Sequence, residues 1–122
     1  MSYILIVDDE KSIRETFRIF LTSAGYQAES ACDVESALVL METQFPDLVV
    51  TDIIMPRISG MEFLAKINSY NRNIPVIVMT GEPTAETAQQ SVLHDAIDYL
   101  VKPVNKNQLL ASVERALAHK KA

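Results

Sequence analysis

Apolar residues fall into short runs that each end in a polar residue, and between the runs they recur at helical spacing. Tyr3 to Val7 is a β-rich run ending in Asp8 and Asp9. Leu48, Val49, Val50 and Thr51 read as a short strand buried on both faces, which delivers Asp52 to its C-terminal mouth. Pro75 to Met79 is wholly apolar and ends in Thr80 and Gly81, and Asp98 to Val101 ends in Lys102 and Pro103. Tyr26 to Ala31 is more polar and suits a sheet edge. Ser12 with Glu15 predicts a capping box that opens a first helix, with Ile13, Phe17, Phe20, Leu21 and Ala24 on one face and Gly25 as its stop. Asp33 can cap a second helix that carries Val34, Ala37, Leu38 and Met41. Ser59 with Glu62 predicts another capping box, ahead of Phe63, Leu64 and Ile67. The segment from Thr84 to Asp95 is the weakest helix, because its face of Ala85, Ala88, Val92 and Ala96 buries little area. Asn105 caps a last helix with Leu109, Leu110, Val113, Ala116 and Leu117 inward.

Strict alternation of five strands and five helices predicts an α/β fold: a parallel sheet with helices on both faces, because parallel neighbours need right-handed crossovers. No linker, repeat or low-complexity stretch interrupts it, so residues 1–122 are expected to form one domain. In such sheets the functional crevice lies outside the carboxyl ends of the strands. Asp8, Asp9, Asp52, Thr80 and Lys102 all fall there.

A hydrophobic content of 48% is enough for a real core, and a domain of 122 residues buries roughly two thirds of the surface its unfolded chain exposes. The net charge of -5, with Lys120 and Lys121 as the longest basic run, argues against a duplex nucleic-acid surface. Cys32 has no partner for an internal disulfide and reads as a partly buried structural thiol. With no signal-peptide pattern and no membrane-length apolar run, a cytoplasmic location is expected.

Asp52 alone reads either as a turn residue or cap, or as an acid with a role; the apolar, proline-stiffened loop from Ile53 to Pro56 favours the second. Three convergent carboxylates stay ionised only beside a cation, which Lys102 or a divalent ion can supply. An all-oxygen site suits Mg²⁺ better than Zn²⁺, for which no His or Cys cluster exists. Mg²⁺, a lysine, a hydroxyl and a carboxylate are the parts that phosphoryl transfer needs.

These residues resemble the receiver domain of two-component response regulators, over Tyr3 to about Leu117. The likeness rests on IVDDE at 6–10, DIIMPRISG at 52–60, Thr80 followed by a small residue, and DYLVKP at 98–103. It implies a flavodoxin-like strand order 2-1-3-4-5. It implies Asp52 as phosphoryl acceptor and Asp9, Asp52 and the Ile54 carbonyl as Mg²⁺ ligands, with Asp8 acting through a coordinated water. Lys102 would contact the phosphoryl group, with a cis bond to Pro103. Thr80 would donate its hydroxyl and Tyr99 would swing inward behind it, the two forming the switch. From the residues alone, Tyr99 is a packing aromatic. The implied partners are a histidine kinase or histidine phosphotransfer protein as donor, and an effector domain or partner protein reached through helix four, strand five and helix five. A homodimer on phosphorylation is a further expectation; direct nucleic-acid or membrane binding is not. Such a chain is a switch rather than a turnover enzyme.

Two departures stand out. Asp95 occupies a position where the family usually has Gly ending the fourth helix in a left-handed turn, which Asp tolerates less well. Gly81 stands where Ala is commoner and should leave the phosphoryl pocket open. Two other readings use the same fold. A flavodoxin-like flavin module lacks its Gly- and hydroxyl-rich phosphate loop here, where Asp8 and Asp9 would repel a phosphate. A Mg²⁺-dependent aspartyl phosphatase would want a carboxylate where Ile54 stands.

Overall fold

The computed structural model describes residues 1–70 and 73–121, the side chains of Lys120 and Lys121 excepted. Its elements run β1 (Tyr3–Val7), α1 (Lys11–Ser23), β2 (Gln27–Ala31), α2 (Val34–Thr43), β3 (Leu48–Asp52), α3 (Gly60–Ser69), β4 (Val76–Thr80), α4 (Ala85–Leu93), β5 (Asp98–Val101) and α5 (Lys106–Lys121). The strands form one parallel sheet in the order β2-β1-β3-β4-β5, as expected. β1, β3 and β4 are buried along their whole length, which explains their unbroken apolar runs. Successive side chains leave a strand on opposite faces, and two cores follow from that parity. Leu5, Val7, Val49, Val76 and Val78 pack with α2 and α3 on one face. Ile4, Ile6, Leu48, Val50, Ile77 and Met79 pack with α1 and α5 on the other.

Local chemistry sets the helix ends. Asp33 Oδ1 accepts from the Ser36 N–H at 2.7 Å, and Ser59 Oγ from the Glu62 N–H at 3.2 Å. Asn105 and Gln108 exchange side-chain-to-backbone bonds at 2.8 and 2.9 Å, a reciprocal box. Each such cap stabilises its helix by about 1 kcal/mol. Gly25, at φ 93, ends α1. Asp95 takes the left-handed turn after α4 despite its side chain, at φ 62. Its N–H donates to the Val92 carbonyl at 3.1 Å and that of Ala96 to the Ser91 carbonyl at 2.9 Å, satisfying two carbonyls left open at the helix end.

Three expectations are corrected. No Ser12–Glu15 capping box forms: α1 starts two residues earlier, at Lys11, with Glu10 as its N-cap and no side-chain cap bond. Ser12 therefore lies inside the first turn. In α4 the buried residue is Ser91, whose hydroxyl is satisfied by the Ala88 carbonyl at 2.7 Å, while Ala85 and Val92 face outward. Cys32 is exposed rather than partly buried.

Candidate functional site

Parity and register bring the chemistry together. Ile4 and Ile6 on β1, and Leu48 and Val50 on β3, face the α1/α5 side, and the same alternation carries Asp8, one residue past β1, and Asp52, the last of β3, to that side. Val7 is paired with Thr51, so Asp8 and Asp52 are next in register at the carboxyl ends of adjacent strands. Leu100 on β5 faces that side, and alternation carries Lys102, one residue past β5, to it as well. The Lys102 N–H donates to the Thr80 carbonyl at 2.9 Å, which sets the lysine beside Gly81, the first residue past β4. A Cβ at Gly81 would meet no atom within 4 Å, the lysine included. Its ammonium donates to Asp8 Oδ2 at 2.8 Å and to Asp52 Oδ2 at 2.9 Å.

Burial makes this arrangement strong. The Asp8 side chain is fully buried and that of Asp52 nearly so. Burial pushes the Asp52 carboxyl above its ordinary value; the Lys102 ammonium and the Ile54 N–H pull it back, while Asp8 adds to the rise. Burial acts on Lys102 in the opposite sense, but its bonds to Asp8 and Asp52 win and hold it above its ordinary value, so it stays charged. Each acid has further support. Asp8 Oδ1 accepts from the Glu10 N–H at 2.8 Å, and its carbonyl from Arg14 Nη1 at 2.8 Å. Asp52 Oδ1 accepts from the Ile54 N–H at 3.3 Å, and its carbonyl from the Thr51 hydroxyl at 3.0 Å.

Carboxylate oxygens of Asp8, Asp9 and Glu10 lie within 4.8 Å of one another. An all-carboxylate cluster without His or Cys fits a hard divalent cation. Glu10 is the member that the sequence pattern left without a role, and its Oε1 also lies 3.6 Å from Lys102. Asp52 joins these acids through Lys102. Ile54, beside the acceptor, is 52% exposed.

Thr80 lies on the opposite face at the end of β4, fully buried, its hydroxyl accepting from the Glu82 N–H at 3.0 Å. Tyr99 shares that face, paired with Val78, and its hydroxyl lies 2.8 Å from Thr87 Oγ1 on α4. Thr80 and Tyr99 thus occupy one side of the sheet while Asp8, Asp52 and Lys102 occupy the other. The Lys102–Pro103 peptide is cis.

Residues 4–114 match the family model of the response regulator receiver domain. The response regulator MprA of Mycolicibacterium vanbaalenii is 36% identical over 114 residues, which are 93% of this chain and 49% of that protein. The transcriptional regulatory protein ZraR of Escherichia coli is 37% identical over 95% of this chain and 26% of its own length. Among solved structures, a CheY-like receiver domain protein from Methanospirillum hungatei superimposes with a TM-score of 0.94 at 30% identity, covering 99% of this chain and 97% of that one. The chain therefore spans about half the length of MprA and about a quarter of ZraR. These matches give no support to a flavin module or a phosphatase.

Proposed function

The chain belongs to the response regulator receiver domain family, and on that premise we propose that residues 1–122 act as one receiver in which Asp52 is the phosphoryl acceptor. A phosphohistidine of a kinase or phosphotransfer protein is the donor. An Asp52 carboxylate oxygen attacks phosphorus, the new O–P bond forms as the P–N bond breaks, and the electron pair of that bond leaves with the imidazole nitrogen. Asp9, Asp52 and the Ile54 carbonyl, with Asp8 through a water, would hold Mg²⁺, which would supply charge neutralisation for the phosphoryl oxygens. Lys102 orients the acceptor beforehand and then contacts the phosphoryl group. Thr80 turns its hydroxyl from the Glu82 N–H toward that group, and Tyr99 leaves Thr87 to follow it. The observation that carries this reading is the single ammonium shared by Asp8 and Asp52 at the strand ends.

The change is read by an effector domain, a partner protein or a second phosphorylated copy at the face of α4, β5 and α5. Val92, Leu93 and Val101 support that choice, being 73%, 65% and 48% exposed. Among the described residues no helix is long and apolar enough to cross a membrane, and the reading places the switch in the cytoplasm. It transfers and loses its own phosphoryl group without turning over a substrate. Incubation with Mg²⁺ and acetyl phosphate, followed by tandem mass spectrometry, tests the assignment: label is expected on Asp52 and absent from Asp52→Asn. Label on Asp8, Asp9 or a hydroxyl residue would overturn it.

Lifetime of the phosphorylated state follows from Ile54. Water must attack an acyl phosphate in line, and a branched apolar side chain at the mouth excludes it, whereas a polar one orients it. Glu82 is exposed, and an exposed, flexible carboxylate orients a water less persistently than a side chain at the mouth excludes it. Ile54→Asn is expected to shorten the lifetime several-fold, about 1 kcal/mol in the barrier. Loss of phosphate after donor removal, at fixed Mg²⁺, measures it; equal rates would show that Ile54 does not guard the site.

A further inference from the structure

The loop between β3 and α3 is tied to α2 by a residue whose own backbone resists its position. Arg57 sits at φ 66, and across it the Ile58 N–H donates to the Pro56 carbonyl at 2.8 Å. This is a tight three-residue turn that side chains enter at a cost and glycine enters freely. What arginine adds is reach. Its Nε donates to Glu35 Oε1 at 2.6 Å and its Nη2 to Asp33 Oδ2 at 2.9 Å, residues 22 and 24 positions earlier in the chain. Asp33 is a firm anchor, because its other oxygen caps α2 and its side chain is only 16% exposed. Exposed ion pairs return little net stability, and a left-handed arginine takes some of that back. Stability therefore gives no reason to prefer arginine over glycine here, and the tie's effect is on position.

The loop carries a backbone N–H bonded to the acceptor. Ile54, three residues before Arg57, donates its N–H to Asp52 Oδ1. At the loop's far end the Gly60 N–H donates to the Ile53 carbonyl at 2.8 Å. Between those two anchors, Arg57 seats the tip on the first turn of α2. The geometry points to Arg57 as a positioning residue for phosphoryl transfer: by binding Asp33 and Glu35 it sets the backbone of Ile54, whose N–H meets Asp52 and whose carbonyl is, on the reading above, a cation ligand. The inference rests on that reading and adds α2, which otherwise has no part in the site.

Three variants separate the tie from the turn. Arg57→Gly relaxes the backbone and removes the tie, Arg57→Ala removes the tie and keeps the strain, and Arg57→Lys keeps the charge without the planar fork. Mg²⁺ alone is titrated into each protein while the Ile54 amide is followed by NMR, at low and at high ionic strength. At low ionic strength the Gly and Ala variants are expected to bind Mg²⁺ about five-fold more weakly, with Lys in between, as for loss of a partner behind a ligand. At high ionic strength the natural chain is expected to fall to their level, because the exposed pairs are screened. Arg57→Gly should melt no lower than the natural chain, so its weaker binding is not unfolding. Equal Mg²⁺ affinity in the natural, Gly and Ala chains would overturn the inference, and so would a loss in Ala alone, which would assign the effect to the turn. Absence of label from Asp52 in the natural chain defeats the earlier reading; a labelled natural chain matched in Mg²⁺ affinity by the Arg57 variants defeats this one alone.

Discussion

Lys102→Met is expected to lower stability by about 3 kcal/mol near neutral pH without divalent ions, and to make stability depend steeply on acid and on Mg²⁺. Methionine keeps most of the length and apolar stem of lysine, so packing changes little. What is lost is the one ammonium bonded to both Asp8 Oδ2 and Asp52 Oδ2. Two buried carboxylates then face each other without it, and breaking a buried ion pair from one side costs about 3–5 kcal/mol. Retained partners, the Glu10 and Ile54 N–H groups, place the expectation at the lower end.

The sign of the pH dependence follows from the two shifted groups. Lys102 is held above its ordinary value of 10.5 in the fold, so its contribution is complete below that value and is lost as pH rises through the folded one. Asp52 is pushed above its ordinary value of 3.8, first by burial, and the variant removes the lysine that opposes the rise. A carboxyl raised in the fold binds its proton more tightly there than in the unfolded chain, so stability falls as pH rises through that window. Acidifying the variant from neutrality should therefore restore it, and raising the pH of the natural chain past the lysine range should bring it down toward the variant. Mg²⁺ should rescue the variant near neutral pH by replacing the missing cation. Urea melts across pH, with and without Mg²⁺, measure all three. A variant as stable as the natural chain throughout would show that Lys102 does not hold these acids.

The strand ends were legible because an apolar run must stop where the sheet does, and the first polar residue then marks the carboxyl edge. Asp8, Thr80 and Lys102 were placed in that way, with Asp52 closing β3. Helix starts were less legible. Ser12 and Glu15 have capping-box spacing, yet α1 begins at Lys11, with Glu10 before it. The Glu10 N–H is taken by the Asp8 carboxylate and its side chain stands near Lys102, and neither relation is visible in local spacing. α4 misled for a different reason. With alanines along it, apolar periodicity barely fixes a face, and a buried Ser91 satisfied by its own helix replaces the expected Val92.

Contacts that cross between elements were the least legible part of the site. Arg57 looks like any exposed loop arginine until the fold brings Asp33 and Glu35 against it. Thr87 reads as one more polar residue on a weak helix. In the fold its hydroxyl meets both the Thr84 cap and the Tyr99 hydroxyl. Asp98 likewise looks like a strand-opening turn residue, but its carboxylate accepts from the fully buried Ser112 hydroxyl and from Arg115 on α5. Each of these pairs is separated by a dozen residues or more, except the Thr84–Thr87 cap.

Gly60→Ala is expected to damage both fold and chemistry, against what helix propensity predicts. Gly60 is the first residue of α3, where alanine would ordinarily be the better residue by up to about 1 kcal/mol. A Cβ built there, however, falls 2.0 Å from the Asp52 carbonyl oxygen and 2.8 Å from the Ile53 Cα. Both obstacles are backbone, so no side-chain rotation relieves them, and the end of β3 must move. That motion strains the Gly60 N–H bond to Ile53 and carries the Asp52 carboxylate off Lys102. Overpacking of this kind costs about 3 kcal/mol, outweighing the gain in propensity. Displacing the acceptor by about 1 Å should slow phosphorylation of the folded protein about 100-fold. Gly81→Ala is the control, since a Cβ there meets nothing within 4 Å and should leave stability nearly unchanged. Urea melts and the initial rate of labelling by acetyl phosphate, compared across the two substitutions, decide the matter. Gly60→Ala matching the natural chain in both would show that the loop gives way without disturbing Asp52, and that the close approach at α3 does not set the acceptor.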